Sequence, residues 1–277
     1  MTLLAATGLG LLIGAVLGAL GGGGAILTVP ALVYLLGQEP RDATTSSVII
    51  VGLTAVVGAV GHARSGHVRW RTGLPFGVTG FTAAIAGTAA NQYVEPHILL
   101  LGFAALMTIA AIGMLAHAHH APSIHDTFGD GLVTGSTART GAAQLTRPEP
   151  ARPGTGIAVK VAVVGLLVGF LTGFFGAGGG FVIVPALVLV LGLPMPTAVG
   201  TSLLIIAINS AAALATRAGH AHFEWPIILP FTIAAMAASL AGKKIADRLP
   251  GTVSTRAFAV LIFAVAAYTA ARTLLGR

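Results

Sequence analysis

No Asp, Glu, Lys or Arg precedes Glu39, and none lies between Lys160 and Arg217. Stretches of that length without charge cannot form a water-facing surface. Soluble domains carry about 25% charged residues, whereas this chain has 8%. Apolar runs recur along its length, each close to the ~20 residues that cross a bilayer as a helix. The expectation is an integral, multi-pass protein of the inner (plasma) membrane, with the lipid bilayer as its main partner. The runs are long, continuous and not alternating, which selects helices over the strands of a barrel.

Five segments fit the first part of the chain, at about 3–20, 25–37, 42–63, 72–92 and 96–117. Five fit the second, at about 158–175, 180–192, 197–217, 226–247 and 252–275. Residues 118–157, rich in Pro, Gly, Thr, Ala and Arg, read as a flexible loop. This divides the chain into a first repeat (1–117), a loop (118–157) and a second repeat (158–277).

The halves align without a gap at an offset of 155 residues. Val29-Pro30-Ala31-Leu32-Val33 falls on Val184-Pro185-Ala186-Leu187-Val188, Gly37 on Gly192, Ser47 on Ser202, His67 on His222 and Trp70 on Trp225. From 18 to 50, 14 of 33 positions are identical. Shared greasiness would not hold Pro, Gly and Trp in register, so the chain is an internal duplication.

Charge decides how the halves are oriented, because Lys and Arg in short loops stay cytoplasmic. An odd number of crossings per half inverts the repeat. Eleven of the 15 cations then share one side, including Arg64, Arg69, Arg71, Lys243 and Lys244, against four on the other. Equivalent loops also trade charge: 62–71 is basic while 216–225 has one Arg, and 91–97 has none while 243–256 has four. The expected fold is all-α and polytopic, two inverted repeats of about five helical segments each, with both termini outside and the loop cytoplasmic. No Lys or Arg precedes Arg41, so the basic region of a cleaved signal peptide is missing and the first segment is expected to stay in the fold.

Each half is broken near its start by glycine, at Gly21-Gly22-Gly23-Gly24 and Gly176-Ala177-Gly178-Gly179-Gly180. Glycine costs roughly 1 kcal/mol in a helix interior relative to Ala, so such a cluster should end a helix. Broken backbone at membrane depth is tolerated where protein or a water-filled cavity satisfies it. The short apolar segments that follow, at about 25–37 and 180–192, span only part of the ~30 Å core. Gly-interrupted short segments at matching places in two halves point to a transporter's binding site, and helix N-termini there suit an anion. The competing reading is close helix packing through small residues. The substrate-site candidates from the breaks are Gly22, Gly23, Gly24, Gly178, Gly179 and Gly180.

Hydroxyls follow each break. Thr45, Ser46 and Ser47 in one half and Thr201 and Ser202 in the other can cap the third helix and donate to an oxyanion, or simply bond the preceding turn. Asn209, deep in an apolar helix, is a substrate contact or an interhelical hydrogen bond. His62, Arg64 and Arg217, where the third helices end, suit a vestibule that attracts anions or anchors beside Trp70 and Trp225 at the interface. His117, His119, His120 and His125 lie at a helix end running into the loop, without the constellation that completes a metal shell; they read as solvated, and no metal or cofactor is expected.

Other classes find no support. Cysteine is absent, so no disulfide or thiolate chemistry arises. No carboxylate stands inside a predicted segment away from its ends, which disfavours a buried proton relay. Phosphate-binding loop, metalloprotease pair and nucleophile elbow are missing, so an enzyme is not expected. The net charge of +7 sits in loops rather than in a basic, aromatic-interleaved patch, so no nucleic acid is expected.

Glycine break, following Pro-Ala-Leu, Ala198-Val199-Gly200-Thr201-Ser202-Leu203 and Arg64-Ser65-Gly66-His67-Val68-Arg69-Trp70 together resemble the TauE/SafE sulfite-exporter family. The resemblance covers nearly the whole chain except the loop. It implies a secondary permease for sulfur-containing anions such as sulfite, sulfoacetate or other organosulfonates, moved outward by alternating access. An uptake permease for sulfonates or another small oxyanion is the alternative, and a membrane scaffold a remoter one. The sequence is compatible with a homodimer without dictating one. Thr44-Thr45-Ser46-Ser47 departs from the second half's Val199-Gly200-Thr201-Ser202, so the halves are expected to contribute unequally.

Overall fold

The computed structural model describes residues 2–91, 93–120, 155–175, 180–217 and 224–274; the loop predicted at 118–157 falls largely outside them. The described residues are helical and contain no strand. In the first half α1 is Thr2–Leu20, α2 Gly23–Pro30, α3 Pro40–Arg64, α4 Trp70–Asn91 and α5 Pro96–His120. In the second, α6 is Thr155–Phe175, α7 Gly180–Pro185, α8 Met195–Arg217, α9 Trp225–Ala246 and α10 Gly251–Leu274. Seven of these (α1, α3, α4, α6, α8, α9 and α10) are long and apolar enough to cross a membrane. Their outer faces expose Leu4, Ile85, Val163, Ile233 and Val260, as a surface solvated by lipid requires.

The short helices after the breaks have a shared construction. α2 widens after Pro30 into a π-helical turn, Ala31–Leu35, and α7 widens after Pro185 into Ala186–Val190. Proline brings no N–H to the ladder, and the bonding shifts to wider spacing beyond it. Leu36 N–H donates to Ala31 O (3.2 Å), as Leu191 N–H does to Ala186 O (3.2 Å). Each then stops on a left-handed glycine, Gly37 (φ +71°) or Gly192 (φ +65°). The residue beyond reaches back, Gln38 N–H to Leu32 O and Leu193 N–H to Leu187 O, in the manner of a Schellman cap.

α2 does not continue the path of α1. Gly21 (φ +77°) turns the chain, and Gly24 packs on Ile13 and Leu17 of α1. Ala31 and Leu32 share a buried cluster with Ala6 and Ile13. The pair is a hairpin that returns toward the end from which α1 set out.

Small residues weld the halves together. Gly10, Gly14 and Gly18 of α1 meet Phe231, Ala235 and Ser239 of α9, so these helices run parallel in contact. Gly165, Gly169 and Gly173 of α6 meet Phe76, Gly80 and Ala84 of α4, which is the same seam displaced by the repeat offset. At Gly14 and Gly169 a single methyl group would overlap the facing backbone. Close approach of this kind is how helices associate where lipid is as apolar as the side chains.

Between the seams lie α3 and α8. Gly52 faces Ser210 whereas Gly58 faces Leu203, so these equivalent helices cross in opposite directions. Gly58 and Gly61 of α3 run alongside Ser239 and Lys243 of α9, and Gly73 and Gly77 of α4 run alongside Leu204 and Ile208 of α8. α5 packs on α10. The residues of α7, Gly180–Pro185, are all buried, and Phe181–Val184 share a core cluster with Phe103, Phe258 and Met107.

Candidate functional site

The two breaks, 158 residues apart at Gly22 and Gly180, meet back to back. A Cβ on Gly22 would overlap the Gly180 carbonyl, and one on Gly180 would stand 3.0 Å from Gly22 O and 3.0 Å from Ile206 Cδ1. Gly22 is the N-cap residue of α2 and receives no side-chain cap. Gly23 lies under Leu261 and Phe258 of α10, and Gly24 under α1. Gly178 and Gly179 lie outside the described residues. Ser202 Oγ would stand 2.6 Å from a Cβ on Gly21, so the second-half hydroxyl lies against the first-half break.

The hydroxyls do not cap their helices. α3 begins at Pro40 after an extended Glu39, because proline is favoured in a first helical turn; α8 begins at Met195. Thr45, Ser46, Ser47, Thr201 and Ser202 therefore sit one to two turns inside. Ser47 Oγ donates to Thr44 O (2.8 Å) and Ser202 Oγ to Val199 O (2.8 Å), each to the preceding turn. Such bonds leave the oxygen's lone pairs free to accept. Thr45 is half-buried. Thr201 Oγ1 accepts from Arg69 N–H (3.1 Å), which ties α8 to the α3–α4 turn.

Ser46 Oγ, Thr54 Oγ1 and Asn209 Oδ1, buried on the two central helices, have no partner. Thr54 and Asn209 occupy equivalent repeat positions. Ser202, Ile206 and Asn209 recur at helical spacing, and Ser202 and Ile206, with Val199, touch the breaks from α8; Asn209 is one turn further along the Ser202–Ile206 face. An unpaired buried hydroxyl or amide costs about 1–3 kcal/mol, and a bound polar ligand or water is one way to recover it.

His62 and Arg64, both expected at a vestibule, part company. Two residues along a helix is about 200° of rotation, so they point to opposite faces. His62 is only 1% exposed, and its Nε2–H donates to Gly18 O (3.1 Å), a carbonyl of the turn leading into the first break. Arg64 is exposed and rims an open, mainly apolar groove of about 420 Å³ with Val56, Val60, Trp70 and Leu204. Arg217 ends α8, but its side chain lies outside the described residues.

Comparison with known proteins settles the family. The family model described as "Sulfite exporter TauE/SafE" matches residues 6–269. The chain belongs to the TauE/SafE sulfite exporter family. A "Probable membrane transporter protein" of Xylella fastidiosa (strain Temecula1) is 31% identical over 270 residues, 96% of this chain and 94% of that one. The "Probable membrane transporter protein YunE" of Bacillus subtilis is 25% identical over 229 residues, 78% of each. No solved structure matches. This TauE/SafE protein is a multi-pass membrane transporter and not an enzyme.

Two features of the transporter escape a linear reading. Thr54 looks like an ordinary helix threonine until its equivalence to Asn209 is combined with the burial of both. His67 and Asp247, 180 positions apart, converge on His62 with one donor atom from each within 4.8 Å of the others. No spacing rule reaches across such a separation.

Proposed function

We propose that this transporter exports sulfur-containing anions such as sulfite, sulfoacetate and other organosulfonates by alternating access. Its anion site would be the place where the two glycine breaks meet. The observation that carries this reading is the Gly22–Gly180 contact with Ser202 alongside. It brings backbone and helix starts from both repeats, and a hydroxyl from the second, to one point. Helix starts present free N–H groups to an anion, and Ser46, Thr54 and Asn209 supply unpaired polar groups on the neighbouring helices. The contact leaves no room between the backbones, so anion entry requires the two breaks to part. Sulfur as the anion's central atom rests on the family, as does the outward direction.

Inverted topology belongs to the same reading. It is supported by the opposite directions of α3 and α8 and by the charge traded between equivalent loops. With the α1–α2 hairpin making no net crossing, three crossings remain in each half, the odd number that inversion needs. Both termini are then outside and the 118–157 loop cytoplasmic. Arg64 and Arg217, at opposite mouths, draw anions in.

Reconstitution into liposomes with labelled sulfite, sulfoacetate and sulfate tests the substrate class; movement of none of the sulfur anions, with another oxyanion carried, would overturn it. Gly22→Leu is expected to block transport and Ser202→Ala to weaken it. Undiminished transport in both variants would remove the site from the break.

A further inference from the structure

We propose that His62, His67 and Asp247 form a binding site for one divalent transition-metal ion, of the Zn²⁺ class, that clamps the ends of α3 and α9. His62 lies in the last turn of α3, His67 in the turn leading to α4, and Asp247 at the end of α9. A ring nitrogen from each histidine and a carboxylate oxygen lie within 4.8 Å of one another. Tetrahedral zinc ligands stand about 3.4 Å apart, given metal–ligand distances of ~2.0–2.1 Å, a closure within reach of side-chain rotation. Two imidazoles and one carboxylate, with a further position open, suit a borderline ion rather than Ca²⁺ or Mg²⁺.

The state of the nitrogens argues for a ligand. Because a carbonyl only accepts, the bond to Gly18 O places the His62 proton on Nε2 and leaves Nδ1 as a lone pair. That nitrogen is buried without a partner, and so is Nδ1 of His67. Metal-binding histidines characteristically give their other N–H to a carbonyl or carboxylate, which fixes tautomer and ring orientation. Asp247 is paired with Lys243 (2.5 Å), its side chain is 33% exposed, and with His62 it lines a small cavity that Met195, Val199 and Ser254 help to close. Entry of the ion exchanges the Lys243 ammonium for a dication on the same carboxylate. The second repeat cannot copy the site, since Arg217 and Gln92 stand at the positions equivalent to His62 and Asp247. Among the described residues the site occurs once per chain.

The test is titration of the untagged, detergent-purified full chain with Co²⁺, which shows intense visible absorption in a tetrahedral site and pale colour when hydrated. Expected is one tight Co²⁺ per chain, displaced by Zn²⁺, with Zn²⁺ raising the thermal midpoint. His62→Gln preserves a donor to Gly18 O; it, His67→Gln and Asp247→Asn should each weaken binding by at least about tenfold, while His117→Gln leaves it unchanged. His67→Gln and Asp247→Asn lie at the helix ends and decide the matter even where His62→Gln fails to fold. Absence of a stoichiometric site, or one indifferent to these variants, overturns the proposal. The measurement needs no transported anion, so its outcome is separable from the substrate reading.

Discussion

The α1–α9 seam and the α6–α4 seam are one design used twice, yet they end in different chemistry. Gly10, Gly14 and Gly18 repeat as Gly165, Gly169 and Gly173, and each meets the equivalent backbone on its partner helix. At the first seam's end Gly18 O accepts a hydrogen bond from His62 Nε2–H, with His67, Lys243 and Asp247 close by. At the second, Thr88 donates to Ala84 O, and Asn91 donates to Phe174 O (2.5 Å). Packing has been conserved between the repeats because backbone contact permits nothing larger. The polar ends had no such restraint and have diverged. Symmetry here belongs to the scaffold, while ionisable groups gather at one end.

The largest expected effect tests the seams themselves. Gly14→Leu and Gly169→Leu should each abolish folded protein, since both force a side chain into facing backbone; overpacking costs ~1–3 kcal/mol even where neighbours can yield. Size-exclusion yield and thermal midpoint measure this, and a well-folded Gly169→Leu beside an unfolded Gly14→Leu would break the equivalence.

Next come the breaks. Gly22→Ala should reduce transport by about tenfold or more, equivalent to about 1.4 kcal/mol, because its methyl overlaps the Gly180 carbonyl. Gly180→Ala should cost only a few-fold, its neighbours being a carbonyl at 3.0 Å and the movable tip of Ile206. Liposome flux compares the two, and the reverse order would show that the second break is the tighter.

Thr54→Val and Asn209→Leu separate binding from stability. Removing an unpaired buried polar group should leave the thermal midpoint unchanged or higher by about 1 kcal/mol of stability, while transport falls. A loss of stability in either variant would mean that the group pairs inside the folded protein. Ser202→Ala should raise the apparent KM several-fold and Ser47→Ala less, since only Ser202 lies against a break.

The smallest effect belongs to Arg64→Gln. The exposed guanidinium acts at long range, so its loss should lower flux about two- to threefold at low ionic strength and have no effect near 1 M salt, where the Debye length is ~3 Å. A salt-independent loss would place Arg64 in direct contact with the anion.

Much of the architecture was legible because it rests on local rules. Scarce charge demanded helices in lipid, and Gly21 with Pro30 and Gly37 announced a break, a short segment and a stop, all found in place. The offset of 155 residues relates the two seams, with Gly14 and Gly169 in equivalent contact. The capping role expected of Thr45–Ser47 failed because Pro40 starts α3 a turn earlier. His62 is buried against α1 while Arg64 is exposed, because residues two apart on a helix face opposite ways, and which face is inward depends on α1.

By itself the sequence determined helical class, duplication, the location of both breaks and the family, since each depends on residue type and spacing along one dimension. Tertiary structure decided that the α1–α2 hairpin turns back, that Gly22 meets Gly180, and that His62, His67 and Asp247 converge. The last two depend on which helix faces come together across more than 150 residues of chain. That choice is made by the fit of glycine backbones in the two seams, and no local pattern encodes the distance between atoms so far apart in sequence.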